Sequence, residues 1–288
     1  MLTLRQTVVA ATDLACRVAG RRQVVRGARL VLRRACLDVP NDMRTNGELW
    51  LQRQVIGLSE PGQALAVVDA GANVGRWSAA MLGAAQQAGR LGDLDLHAIE
   101  PSAYTFERLS QMLAGQPVSL ARLALSESSG TSTLHVLAPG AGVNSLHKPP
   151  GAPAAATCEE VPTLTLDDFA RNAGLDRIAF VKIDAEGHDL AVLRGARRLL
   201  DAQRITIAQF EYNHRWVFGR FFLRDAFDLL QPAGYRIGKV TPKGIEFYPA
   251  WDAELETFVE SNYVACTEWA AERLPSVRWW KSEERGAS

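Results

Sequence analysis

One stretch, residues 67–78, constrains the fold more than any other part of the chain. It reads Val-Val-Asp-Ala-Gly-Ala-Asn-Val-Gly-Arg-Trp-Ser, an apolar run that ends in an acid and continues into a glycine-containing turn. This order predicts a buried strand, a tight loop and a helix N-terminus, where backbone N–H groups can meet a ligand. The spacing fits neither a phosphate P-loop nor the dinucleotide pattern G-x-G-x-x-G, because Asn73 and Arg76 stand at glycine positions.

A second acid follows the next predicted strand. Residues 94–99 form an apolar run, and Glu100, Pro101 and Ser102 come directly after it. In nucleoside-binding folds, an acid at the tip of the second strand binds the ribose hydroxyls. Pro101 suits the first turn of a helix, and Ser102 suits its cap. The two strand ends together therefore predict a nucleoside site.

A third strand-like run ends in a group of acids. Residues 180–189 read Phe-Val-Lys-Ile-Asp-Ala-Glu-Gly-His-Asp, and Asn144-Ser145-Leu146 and residues 161–167, Val-Pro-Thr-Leu-Thr-Leu-Asp, precede them. With Gly-Ala-Asn-Val-Gly and Ile-Glu-Pro upstream, these motifs closely resemble the FkbM-type methyltransferases over about residues 46–250. The resemblance implies a Rossmann-like methyltransferase fold and S-adenosyl-L-methionine as cofactor. It also implies methyl transfer to a hydroxyl of a sugar, polyketide or lipid-linked product.

Strand and helix patterns alternate from residue 65 onwards, which predicts an α/β domain with helices on both faces of its sheet. We expect a mostly parallel, seven-stranded sheet. The predicted organisation is a helical extension over residues 1–60, a methyltransferase domain over 61–250 and a tail over 251–288. We expect the tail to pack on the domain and its end to be disordered. Residues 138–157, rich in Pro, Gly and Ala, predict a mobile loop whose Asn144 and Ser145 touch the substrate.

Composition describes an ordinary globular protein, with 47% apolar residues and a formal net charge of zero. Zero net charge gives no reason to expect a nucleic-acid partner. Four scattered cysteines and the lack of a long apolar run predict a cytoplasmic protein without a membrane span. Arginines concentrate in residues 1–39, where helical patterns predict either surface packing, a homo-oligomer contact or a basic face for an anionic partner.

The candidate cofactor residues follow the predicted strands, because ligands bind at the carboxyl ends of strands in open α/β sheets. We expect Asp69 to fix the glycine loop by accepting its N–H groups. Relatives bind adenine near the turn that contains Ser126, so the resemblance implies a contact there. The complete predicted set is Asp69, Gly71, Asn73, Gly75, Glu100, Ser102, Ser126 and Asp184.

Methyl transfer needs alignment of the reacting atoms and removal of the alcohol proton. His188 is the preferred candidate base because an imidazole titrates near neutral pH. His214, within the aromatic-rich run 212–222, is the second, and Asp184 and Glu186 complete the predicted catalytic set. The aromatic side chains of this run, Trp216, Phe218, Phe221 and Phe222, are expected to form a wall of the acceptor site, with core packing as the alternative for the phenylalanines. A divalent metal is a further possibility, with Asp184, Glu211 and Asn213 as its candidate ligands.

Three alternatives to a hydroxyl methyltransferase stay open. A nucleotide-dependent dehydrogenase is disfavoured by the missing second glycine of its motif. A non-catalytic, cofactor-binding partner in a biosynthetic complex is disfavoured by the presence of both Asp184 and His188. Methylation of RNA or protein is the third, although only the N-terminal region is basic. The preferred acceptor is a small or glycosidic molecule.

Overall fold

The structure, a computed structural model, describes residues 3–137, 144–148, 151 and 156–282. The chain separates into two compact units, Met1–Pro40 and Asn41–Ser288. The first unit contains helices α1 (Leu4–Ala19) and α2 (Arg21–Ala35). A capping box starts α1, because the Thr3 hydroxyl accepts from the Gln6 N–H and the Gln6 side chain accepts from the Thr3 N–H. Gly20, at φ 83°, separates the two helices.

The second unit alternates helices and strands. Its helices are α3 (Glu48–Leu58), α4 (Arg76–Gln87), α5 (Ala103–Met112), α6 (Leu166–Ala173), α7 (Asp189–Arg194), α8 (Arg197–Asp201), α9 (Leu223–Leu230) and α10 (Glu268–Ala271). Its strands are β1 (Leu65–Ala70), β2 (Leu94–Ile99), β3 (Val118–Ala121), β4 (Ala124–Leu125), β5 (Gly130–Val136), β6 (Thr157–Leu164), β7 (Ile178–Ile183), β8 (Ile205–Tyr212), β9 (Tyr235–Thr241), β10 (Gly244–Tyr248), β11 (Ser261–Thr267) and β12 (Ser276–Val277). Short 3₁₀ helices span Leu91–Asp93, His214–Gly219, Ala253–Leu255 and Trp280–Ser282.

The described strands form one large sheet in the order β12-β10-β9-β11-β8-β7-β1-β2-β3, and β4-β6-β5 form a small second sheet. Strands β3, β2, β1, β7 and β8 run parallel, so the predicted Rossmann-like α/β architecture is confirmed. The strand order reverses between β1 and β7, and a ligand crevice forms at such a point. The predicted count of seven strands was wrong, because the large sheet has nine in the described part of the chain.

Helices cover both faces of the large sheet, as predicted. Along β1, Leu65 and Val67 pack in one core cluster, and Ala66 and Val68 pack in another on the opposite face. The first cluster includes apolar side chains from α3, α4, α5 and α10, and the second includes side chains from α6, α7, α8 and α9. No described helix has the length and apolar character that crossing a bilayer requires.

Two boundaries differ from the sequence-based division. Residues 41–60 belong to the second unit, because Leu51, Val55 and Ile56 of α3 are buried in its core. The tail after residue 250 supplies β11, which lies between β8 and β9 and pairs antiparallel with both. Strand β11 is buried on both faces, so it lacks the alternating pattern of a half-buried strand. The last residues, 283–288, and most of the loop 138–157 lie outside the described residues.

Candidate active site

The glycine loop after β1 is closely packed against the end of β7. Gly71 has a φ of 80°, and a Cβ on it would lie 2.0 Å from the Asp184 carbonyl oxygen. No other residue fits this conformation and this approach. The N–H groups of Gly71 and Ala72 both donate to the Ile99 carbonyl at the end of β2. The expectation that the Asp69 side chain accepts from the loop amides was therefore wrong.

Asp69 instead contacts a buried lysine and the helix that follows the loop. Its Oδ2 accepts from the Ser78 hydroxyl at 2.6 Å, and its Oδ1 lies 3.4 Å from Lys182 Nζ. The same Nζ lies 3.2 Å from Asp184 Oδ2. Burial raises the pKa of Asp69. Burial alone would lower the pKa of Lys182, but Asp184, Asp69 and Glu48 outweigh it and raise that pKa. Lys182 thus links β1 and β7 as a charged group.

Glu100 is held by the backbone at the end of β2. Its Oε2 accepts from the Asn73 N–H at 3.1 Å and its Oε1 from the Ser102 N–H at 3.0 Å. Asn73 adopts a φ of 49°, which asparagine tolerates better than most residues. Burial raises the pKa of Glu100 to about 7, although the two amide hydrogen bonds oppose this shift. The carboxylate keeps further lone pairs for hydroxyl donors.

The other predicted cofactor residues have structural contacts. Gly75, at φ 87°, precedes α4, and a Cβ there would approach Leu109 Cδ1 to 2.7 Å. The Ser102 hydroxyl donates to Glu159 Oε1 at 3.4 Å, so it serves the neighbouring sheet and not Glu100. Ser126 is buried and hydrogen-bonds to His188. These three residues shape the site around Gly71, Asn73 and Glu100.

A cavity of about 1180 Å³ opens at the carboxyl ends of the parallel strands. One part of its wall, the glycine-loop side, consists of Gly71, Asn73 and Glu100 with Tyr104 and Arg108. A second part, the acidic side, consists of Asn41, Glu48, Asp184 and Glu186, and the Asn41 side chain donates to Glu211. The remaining lining includes Arg44 and Lys182, the first turn of α4, the β3–β4 turn and three side chains near β7. The last of these are Asn144, Leu146 and His188.

Amide side chains hold the carboxylates of the acidic side. Glu48 accepts from Asn46 Nδ2 at 2.6 Å, Gln209 Nε2 at 3.1 Å and Asn262 Nδ2 at 3.2 Å. Glu211 accepts from Asn41 Nδ2 at 2.8 Å. Burial raises the pKa of Glu48 and, together with the neighbouring carboxylates, raises that of Glu211 well above its usual value. This wall therefore concentrates hydrogen-bond acceptors.

Glu186 lies at the cavity edge of the acidic side. Its Oε2 is 3.1 Å from Arg215 Nη1, and its backbone carbonyl accepts from the Ser145 hydroxyl at 2.8 Å. Burial, and then the Asp184 carboxylate, raise the pKa of Glu186 to about 8, so the group holds its proton at neutral pH. Ser145 thereby anchors the described part of the loop 138–157 to the turn after β7.

His188 lies in a hydrogen-bonded row of three side chains. Its Nε2 is 2.9 Å from Ser126 Oγ, and its Nδ1 is 3.1 Å from His147 Nε2. Burial and the adjacent His147 lower the pKa of His188 to about 3, so the ring is neutral at pH 7. Because both ring nitrogens already have partners, the ring must break one hydrogen bond before it takes a proton from a substrate.

The residues after β8 do not form the wall that the sequence suggested. His214 is exposed, packs edge-on to Phe218 at 6.4 Å and does not line the cavity. Trp216 is fully buried in the core and donates its Nε1–H to the Glu211 carbonyl. Phe221 packs against His147, and Phe222 is exposed. An aromatic run in sequence is here divided between the core and the surface.

The candidate metal ligands have other partners. Asp184 pairs with Lys182, and Asn213 donates to Glu211 Oε2 at 2.5 Å. The Asn213 amide oxygen accepts from the Arg215 N–H. Among the residues that the structure describes, no group of three or more His, Cys, Asp and Glu side chains has an arrangement that could hold a metal.

Several site residues were not predicted. Lys182 could have been found, because it is the one charge in the apolar strand 178–183, and alternation places it on the same face as Asp184. Asn41, His147 and Asn262 come from three distant segments. No spacing in the sequence connects them, so only the fold brings them together.

Comparisons with solved structures find distant likenesses. A precorrin-6y C5,15-methyltransferase from Geobacter metallireducens has 13% identity and a TM-score of 0.38, over 76% of this chain and 88% of that one. Aeropyrum pernix fibrillarin with bound S-adenosyl-L-methionine has 10% identity and a TM-score of 0.38, over 75% and 73%. The plantazolicin methyltransferase BpumL with SAH has 10% identity and a TM-score of 0.39, over 77% and 84%.

The sequence comparisons identify the family. No curated protein matches the chain significantly. The family profile described as "Methyltransferase FkbM domain" matches residues 69–237, from the acid of the glycine loop to β9. This segment is more than half of the chain and contains both Glu100 and the acids after β7. The chain belongs to the FkbM methyltransferase family.

Proposed function

We propose that this methyltransferase uses S-adenosyl-L-methionine to methylate a hydroxyl of a sugar, glycosidic or natural-product acceptor. The observation that carries the cofactor assignment is the Glu100 carboxylate, fixed by the N–H groups of Asn73 and Ser102 beside the cavity. A fixed carboxylate with spare lone pairs fits the two ribose hydroxyls. Gly71 lets the loop pack directly against the Asp184 carbonyl at the strand crossover, which a side chain would prevent.

The glycine-loop side fits the cofactor in size and chemistry. Gly71, Asn73 and Glu100 would hold the nucleoside, and Tyr104 offers a ring beside the same wall. The cofactor supplies a methyl group that its sulfonium already activates. The protein therefore needs to hold two reactants in line and to accept one proton.

The acidic side supports a hydroxyl-rich acceptor. Carboxylates and amide oxygens accept hydrogen bonds, and hydroxyl groups donate them. Glu48, Asp184, Glu186 and Asn41 contribute such atoms to one wall of the cavity. Because most of these atoms accept hydrogen bonds, an acceptor with several hydroxyls suits this wall best.

We propose Asp184 as the first candidate to accept the hydroxyl proton. Its side chain is about one third exposed and lines the cavity. Lys182, at 3.2 Å, fixes the carboxylate at the end of β7. His188 is the second candidate, although taking a proton would break its hydrogen bond to Ser126 or His147. Glu186 pairs with Arg215 and lies in the turn between Asp184 and His188.

The cofactor assignment is tested by calorimetry with S-adenosyl-L-methionine and S-adenosylhomocysteine. Glu100→Gln removes the charge that accepts from the ribose, and a charge-assisted hydrogen bond contributes about 1.5–3 kcal/mol. We expect affinity to fall about 10- to 100-fold. Glu107→Gln, an exposed glutamate on α5, is the matched control and should leave affinity unchanged. Wild-type affinity in Glu100→Gln would remove the ribose role, and no binding by the wild-type chain would remove the cofactor assignment.

The acceptor class is tested with cofactor labelled in its methyl group. We expect label in a panel of sugars, glycosides and polyhydroxylated natural products, as an ether that resists mild base. Label in RNA or protein alone would contradict the proposed acceptor class. Cofactor binding without transfer to any of these acceptors would support the non-catalytic alternative.

A further inference from the structure

The first unit exposes apolar side chains along its helices. In α1, Leu4 is 83% exposed and Val18 is 80% exposed, and Val8 and Leu14 on the same face are also exposed. Neither α1 nor α2 buries any of its described residues. A contiguous apolar surface of this kind marks a face that binds a partner or a membrane.

Helix α2 has an apolar stripe on one face and an arginine stripe on another. The apolar stripe recurs at helical spacing and consists of Val24, Ala28, Val31, Leu32 and Ala35. The arginine stripe recurs at the same spacing and consists of Arg22, Arg26, Arg29 and Arg33. Residues three and four apart share a helix face, so each set forms a continuous line. Helix α2 contains no acidic residue.

Positive charge is concentrated in this unit. Residues 1–40 contain eight arginines and two aspartates, although the whole chain has equal numbers of basic and acidic residues. The partner of this surface must therefore be anionic and must also accept apolar side chains. Few partners meet both conditions.

We propose that the first unit binds the surface of membranes that contain anionic lipids, with α2 lying in the plane of the interface. The apolar stripe would enter the boundary between headgroups and acyl chains, and the arginines would contact lipid phosphates. This proposal goes beyond the proposed methyl transfer and does not depend on it.

Two other partners fit only half of the surface. RNA would use the arginines but would leave Val31 and Leu32 in water. A second copy of the chain would cover the apolar stripes. However, it would bring arginines together with only Asp13 and Asp38 to offset them in each copy. An anionic bilayer covers the apolar stripe and neutralises the arginines at the same time.

The test is cosedimentation of the full chain with vesicles of phosphatidylcholine alone and of phosphatidylcholine mixed with phosphatidylglycerol. We expect binding to the anionic vesicles, little binding to the neutral ones, and loss of binding as salt rises. Each arginine near an anionic surface strengthens binding about fivefold. Replacing Arg22, Arg26, Arg29 and Arg33 by glutamine should therefore weaken binding to the anionic vesicles about 600-fold.

A matched pair of substitutions tests the apolar stripe. Leu32 and Leu30 are 62% and 65% exposed, but only Leu32 lies in the stripe. We expect Leu32→Ser to weaken vesicle binding about tenfold or more, and Leu30→Ser to change it less than about twofold. Unchanged thermal unfolding and unchanged binding of S-adenosylhomocysteine would show that each variant is folded.

Three results would overturn the proposal. The first is no binding to anionic vesicles, and the second is equal binding to neutral ones. The third is equal loss in Leu30→Ser and Leu32→Ser. If vesicles do not bind, RNA binding that needs the four arginines would identify RNA as the partner, and a dimer that Leu32→Ser dissociates would identify a second copy of the chain.

Discussion

The two sides of the cavity are built in different ways. The glycine-loop side is held mainly by the backbone, because the amides of Gly71, Ala72 and Asn73 are fixed by groups at the end of β2. The acidic side is held by side chains, since Glu48 depends on Asn46, Gln209 and Asn262. A wall held by backbone contacts leaves little freedom for substitution, whereas single substitutions can alter a wall held by side chains.

Gly71→Ala is predicted to disrupt the glycine-loop side, and it should have the greatest effect of the four substitutions. Gly71→Ala places a Cβ 2.0 Å from the Asp184 carbonyl at a φ of 80°. Strain and overlap together should lower the free energy of unfolding by about 5 kcal/mol, and cofactor binding should be lost. Gly83→Ala, in α4 with nothing within 4 Å, is the control and should be neutral or stabilising. A wild-type melting temperature for Gly71→Ala would contradict the close packing.

The second prediction concerns the group that joins the two sides. Lys182→Met leaves the fully buried Asp69 without its cation, which should lower the unfolding free energy by about 3–4 kcal/mol. Burial already raises the pKa of Asp69, so the loss should be smaller in acid, where Asp69 is protonated, and larger as pH rises. Adding Asp69→Asn should recover part of the stability, whereas Lys243→Met, in an exposed turn, should change little. If the changes in unfolding free energy of Lys182→Met and Asp69→Asn simply add in chemical denaturation, the two side chains are not coupled.

The third prediction sharpens the chemistry of the acidic side. Asp184→Asn should lower turnover about 100-fold with cofactor affinity nearly unchanged, because a general base contributes about 10²–10⁴ in rate. His188→Asn should have a smaller effect, since both nitrogens of His188 already serve Ser126 and His147. Single-turnover kinetics separate the two. A larger loss in His188→Asn would reverse the two roles.

The fourth prediction, which has the weakest effect, tests the repulsion among the carboxylates of the acidic side through Glu186. The pKa of Glu186 is raised to about 8 in the folded state, so the folded chain binds more protons than the unfolded chain from about pH 4.5 to about pH 8. Stability from this group is present below that window and is lost as pH rises through it. Glu186→Gln should flatten the decline across this pH range, and Glu107→Gln should not. An identical pH profile in urea denaturation would contradict the raised pKa.

The glycine-loop side and the acidic side also differ in how well the sequence predicted them. The spacing of Asp69, Gly71 and Glu100 predicted the glycine-loop side, because its contacts are local to one strand–loop–helix unit and the next strand. The parallel sheet followed from the alternation of elements. On the acidic side, Asp184, Glu186 and Glu211 were predicted because they lie at or just after the ends of predicted strands.

The sequence-based predictions that were wrong concern residues whose positions depend on tertiary packing. The aromatic run suggested a wall near His214, but Trp216 is in the core and His214 is exposed, a division that depends on tertiary packing. Strand β11 was missed because burial on both faces removes its alternation. Asn41 and Asn262 are placed by the sheet and not by any motif.

The position of β11 has a consequence for the order of folding. Asn73 reaches Glu100 across 27 residues, but Asn262 reaches Glu48 across 214, and the entropy of closing a loop grows with its length. The glycine-loop side can therefore order before the acidic side. Until β11 enters between β8 and β9, both of those strands present open edges. The edges of β8 and β9 therefore stay open to misassembly and aggregation until β11 is in place.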